Sequence, residues 1–146
     1  MRYLFLLMIG TSVTFAGAQV DDRAVKNDLD RFQGSWQALS IVNIDGKPAS
    51  PEEAQKTRLV VEGKAFTLRD DNVTIRGTFT IDPTRVPKTI DVALEGARVE
   101  DKILGIYRLD GDIRRSCFAP PGKQRPKDFP SDAKGYLHLT WKPQSK

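Results

Sequence analysis

The chain has 146 residues, enough for one hydrophobic core and too few for two ordinary domains. Its 23 Lys and Arg against 19 Asp and Glu leave a net charge of +4, scattered and not interleaved with aromatics, which argues against nucleic-acid binding. One cysteine excludes an internal disulfide, and one cysteine with one histidine gives no zinc pattern, so no metal site or cofactor is expected.

The first eighteen residues read as an address. Arg2 supplies a positive start, Tyr3 to Ile9 an apolar run, and Ala16-Gly17-Ala18 a small-residue cleavage signal, the three-part layout of a secretory signal peptide. The apolar run is short for a bilayer and no second one follows, so the expected protein is exported, periplasmic or extracellular, and not membrane-spanning. Cleavage after Ala18 takes 18 from 146 to leave 128 residues, and loss of Arg2 lowers the net charge to +3. The expected organisation is a signal peptide, 1–18, and one domain, 19–146.

Asp21-Asp22 mark a helix start, and Val25, Leu29 and Phe32 form one apolar stripe, with Lys26, Asn27, Asp28 and Asp30 assigned to the wet side. Gln33 to Asn43 loses that period and stops at the turn pair Asp45-Gly46, which predicts a first strand. Ser50-Pro51-Glu52-Glu53 carries a capping box with proline at the first helical position, predicting a short second helix to about Lys56. Strands are then predicted over 58–62 and 65–69 around Gly63-Lys64. From Val73 the alternation is clean, with Ile75, Gly77, Phe79 and Ile81 inward, and Gly77 marks a bend or bulge. Thr89 to Glu95 turns Ile90, Val92 and Leu94 inward. Lys102–Leu109 and Ile113–Ala119 pair across Asp110-Gly111, residues 120–134 form a Pro- and Gly-rich surface loop, and Gly135–Trp141 closes the chain.

About eight strands at roughly ten-residue spacing, joined by tight turns and accompanied by two short helices, predict an all-β, antiparallel up-and-down barrel. Such a barrel has an interior that just fits side chains or one small ligand.

Several segments together carry a resemblance: Leu29-Asp30-Arg31-Phe32-Gln33-Gly34-Ser35-Trp36, Asp45-Gly46-Lys47, Gly77-Thr78-Phe79-Thr80-Ile81-Asp82-Pro83, Pro87-Lys88-Thr89-Ile90-Asp91, Gly105-Ile106-Tyr107-Arg108-Leu109-Asp110-Gly111-Asp112, Cys117-Phe118-Ala119-Pro120-Pro121-Gly122 and Arg125-Pro126-Lys127-Asp128-Phe129. In order and spacing the chain resembles a family of small exported proteins of planctomycete bacteria described as an uncharacterised lipocalin-like domain. It departs from that family at Ile113-Arg114-Arg115-Ser116, where the family has a more apolar, Thr-rich strand, and at Trp141-Lys142, near the family's short apolar-Lys-Arg ending. The resemblance implies a lipocalin-like barrel and a bacterial exported address, and brings no activity, cofactor or catalytic residue. Gly34-Ser35-Trp36 is also similar to the Gly-x-Trp of lipocalins, whose tryptophan plugs one barrel end after an N-terminal helix.

Trp36 either floors a ligand cavity or simply packs the barrel end. Ile113, Arg115 and Cys117 share one face of their strand. If that face is inward, Arg115 needs a carboxylate or an anionic ligand; a slip of parity would turn it outward. Tyr107, on the neighbouring strand, lines the same interior. Cys117 is a small buried hydrophobe unless a base partners it, and His138, opposite in parity to Leu137 and Leu139, points to solvent. Arg125 and Phe129 fold the long loop back, either as a structural clamp or as a recognition surface. The paired carboxylates each fit a turn or a cap. With no acid–base or nucleophile constellation, the expected function is non-enzymatic: binding of a small apolar or anionic amphipathic ligand, or of an envelope protein. The alternative is an interaction or inhibitor module acting through its loops around a filled core.

Overall fold

A computed structural model of the chain describes residues 22–130 and 134–144; the segment read as a signal peptide, 1–18, lies outside them. Helix α1 (Asp22–Phe32) carries the apolar stripe inward, Leu29 packing on the core and Phe32 1 % exposed. One residue, Gln33, separates it from β1 (Gly34–Val42), and the reversal uses Gly34 at φ +104, a conformation that disfavours any side chain. Helix α2 (Pro51–Lys56) forms under its capping box, with Glu53 N donating to Ser50 Oγ at 3.2 Å and Ser50 N to the Glu53 carboxylate at 3.1 Å.

Strands β2 (Arg58–Glu62), β3 (Ala65–Arg69), β4 (Thr74–Asp82), β5 (Lys88–Leu94), β6 (Ile103–Asp110), β7 (Ile113–Phe118) and β8 (Leu137–Pro143) follow. Each pairs antiparallel with its sequence neighbour, and β8 pairs with β1, closing an eight-stranded up-and-down barrel. This is the all-β, antiparallel up-and-down barrel that the strand spacing predicts, and it is consistent with the lipocalin-like fold that the resemblance implies. Closure removes both sheet edges.

Two local features depart from expectation. The β1–β8 register slips between Ala38 and Ser40, so Leu39 is the unpaired extra residue of a bulge and turns out, 46 % exposed. At Gly77 the pairing with Phe66 and with Leu94 runs without interruption, so there is no bulge. Glycine stands there because a Cβ would meet the Phe66 ring at 2.9 Å and the Ala93 carbonyl closer still.

The two barrel ends differ. At one, α1 is tied across two hairpin turns: Arg31 Nη2 donates to Gly111 O at 2.8 Å, while Gln33 exchanges hydrogen bonds with Gly63 at 2.9 and 2.7 Å. The other end carries the connection through α2, the β3–β4 turn, a single helical turn (Val99–Asp101) and the long β7–β8 loop. That loop is pinned outside the wall by Arg125, which donates to Gly105 O at 2.8 Å and Ile90 O at 3.2 Å and pairs with Asp91 at 2.6 Å.

Candidate functional site

Strands β2 to β8 turn side chains into a cavity of about 230 Å3 inside the barrel. Its wall is apolar: Leu59, Val61, Phe66, Leu68, Ile90 and Val92 are typical. Three residues bring polar atoms, Tyr107, Arg114 and Ser116. At the end away from α1 the lining reaches Ile44, Phe118, Pro121 and Leu137, and Ile44 is 45 % exposed, so the cavity opens to the outside there.

The floor is built by the plug helix. Phe32 meets Tyr107 edge-on, with centroids 5.0 Å apart and planes at 80°, and Phe79 at 5.6 Å. Trp36 is satisfied locally, its Nε1 donating to Phe32 O at 2.9 Å. The Arg114 guanidinium lies over both rings, 4.4 Å from the Phe32 centroid and 4.7 Å from that of Trp36. Burial pushes Arg114 down to about 9, while the two aromatic faces favour its charged form. It therefore stands as a cation at neutral pH.

Beside the floor, Asp28 takes one carboxylate oxygen to two partners: Tyr107 Oη donates to it at 2.7 Å and Lys88 Nζ at 2.8 Å. Burial, and then the bond to this carboxylate, push the Tyr107 phenol far above its ordinary value. The wet-side assignment of Asp28 is corrected. Positions 25, 28, 29 and 32 fall on one helical face, and the polar identity of residue 28 concealed its place in that stripe.

The residues singled out from sequence distribute as follows. Tyr107 lines the cavity. Trp36 packs beneath the floor and is not part of the wall. Arg115 points out of the barrel, its side chain half exposed and 3.7 Å from Asp110. Cys117 also lies on the outer face. In β7 the inward residues are Arg114, Ser116 and Phe118, so of the two orientations open to Arg115 the outward one holds, and the cation in the lining is Arg114. Ile113, Arg115 and Cys117 do share a face, but it is the outer one. Cys117 is nonetheless fully buried, as is its cross-strand neighbour Ile106, on the wall against which Arg125 pins the loop. Phe129 sits under the Arg108 guanidinium at 5.5 Å, on the same outside.

Because Cys117 and His138 are register partners on that outer face, Sγ lies 3.7 Å from Nε2. Burial pushes the thiol up to about 11 and the imidazole down. Both charged forms are disfavoured, opposite to what an activated cysteine–histidine pair requires. Among the described residues no three His, Cys, Asp or Glu side chains cluster as a metal site, and no helix is long and apolar enough to cross a membrane.

Arg114, Ser116 and Asp28 were not singled out from sequence. Counting the β7 alternation back from Phe118, which follows the buried Cys117, would have found the first two; the wheel of α1 would have found the third. Comparison with family models, with curated proteins and with solved structures finds no match to this chain.

Proposed function

We propose that the protein is an exported carrier or sensor that binds one small apolar or amphipathic molecule inside its barrel. Segment 1–18 would be its signal peptide and a bacterial envelope its setting. The observation that carries this reading is the cavity: about 230 Å3, apolar on nearly all its lining and open at one end. Ligand pockets have this composition, apolar walls with a few placed polar groups, at roughly 300–1,000 Å3 for drug-sized ligands. The smaller volume here selects a compact or slender molecule. Burial of its apolar surface supplies the driving force, at about 25 cal/mol per Å2 before the cost of association.

A loop-mediated interaction module would be served as well by a filled barrel; the open interior favours the binder. Titration with an environment-sensitive apolar fluorophore tests it. A saturable one-to-one signal is expected, abolished by Val92→Phe, which places a ring in the cavity. Emission that rises without saturation, or that Val92→Phe leaves unchanged, contradicts interior binding.

A further inference from the structure

Arg114 brings a cation into the barrel without an anion to answer it. The residue is 6 % exposed, and among the described residues it makes no hydrogen bond and no ion pair, only its two aromatic stacks. No side-chain nitrogen or oxygen among the described residues is both sealed from water and unpaired. Arg114 lines the cavity, so its unpaired guanidinium stands beside the space a ligand would fill. A buried charge of this kind is costly until a counter-charge and hydrogen bonds meet it.

Ser116, two residues further on β7 and so on the same inner face, is 5 % exposed, lines the same cavity and makes no hydrogen bond within the described residues. Its cross-strand neighbour Tyr107 already commits its hydroxyl proton to Asp28. The inner wall thus offers a guanidinium fork and one hydroxyl as donors, and above them only apolar side chains as far as the mouth.

We propose that the base of this cavity is a carboxylate site: Arg114 and Ser116 donate to the head group of a monocarboxylate whose apolar chain rises toward Phe118 and Leu137. The planar guanidinium matches the two oxygens of a carboxylate. A single cation in the lining matches a single negative charge, and the surrounding Leu, Ile, Val and Phe side chains match an alkyl or aryl chain. This inference rests on the reading of the barrel as a ligand carrier.

The test is calorimetry of delipidated protein at neutral pH with decanoate and with 1-decanol, which share a chain and differ in the head group. Decanoate is expected to bind about tenfold tighter or more, the scale of one charge-assisted hydrogen bond. Arg114→Met is expected to erase that preference while decanol still binds. Ser116→Ala, which leaves the aromatic stack intact, is expected to weaken decanoate and spare decanol, and keeps the test open if Arg114→Met does not fold. Equal binding of the two, or tighter binding of decanol, overturns the carboxylate site and leaves the carrier reading standing. Failure of both to bind overturns the carboxylate site, and the fluorophore titration then decides the carrier reading on its own.

Discussion

Asp28 and Tyr107 are 79 residues apart in sequence and joined by a 2.7 Å hydrogen bond that fastens the plug helix to the barrel wall. The carboxylate is mostly buried and also receives Lys88, so removing the hydroxyl leaves it with Lys88 alone, and removing the carboxylate leaves the Tyr107 hydroxyl without its partner. Tyr107→Phe is expected to cost about 1.5–3 kcal/mol, the range for losing a hydrogen bond to a charged group. Asp28→Ala should cost at least as much, since it orphans Tyr107 and frees Lys88. Urea unfolding of the two variants and their double mutant checks this, the coupling in the cycle measuring the latch.

The same tyrosine and the stacked arginine impose opposite slopes in alkali. Tyr107 ionises far above its ordinary value of about 10 when folded, so its contribution is complete below pH about 10 and is lost as pH rises beyond it. Arg114, lowered to about 9 from 12.5, binds its proton less tightly folded than unfolded, so the penalty of burying it is relieved as pH climbs through that window. Tyr107→Phe should therefore flatten the fall in urea midpoint above pH about 10, and Arg114→Met should steepen it. Identical slopes in wild type and both variants would refute the assignment.

Cys117 is fully buried with a thiol pushed up to about 11, and its wall is the one to which Arg125 pins the loop through Gly105, Ile90 and Asp91. Reaction with a disulfide reagent at neutral pH should be slow and limited by opening of the structure. Arg125→Ala, which releases three contacts of that loop, should raise the rate about tenfold or more while leaving global stability much less affected. A fast wild-type reaction would show that the thiol is not covered.

At Ser50 the capping box is complete, so Ser50→Ala should cost about 0.5–2 kcal/mol, and Ser50→Asp, which keeps an acceptor, much less. Thermal melting of the two variants distinguishes a cap from a bystander.

Much of the barrel was legible in the sequence because its signals are local. Strands β2 and β3 appear at their expected residues, Ser50 caps the helix it was expected to cap, and Ile90, Val92 and Leu94 face inward as their alternation requires. The floor was less legible because its signals are tertiary. In Ile113-Arg114-Arg115-Ser116-Cys117 the two apolar residues share a parity, and Cys117 is as fully buried on the outer face as a core residue would be on the inner one. Alternation counted from Ile113 and Cys117 therefore leaves Arg115 open to either face, and counted from Phe118 it places Arg114 inside. Leu39 has the same character: a bulge set by the β1–β8 register, not its own hydropathy, turns it out.

The most direct test of the barrel as a carrier is native mass spectrometry of the protein purified without denaturation from the cells that make it. The expected spectrum shows a one-to-one complex with a small apolar or anionic amphipathic molecule, released on unfolding and missing from Val92→Phe. A bare polypeptide mass for the wild type, together with no saturable binding of any apolar probe by calorimetry, would contradict the proposal.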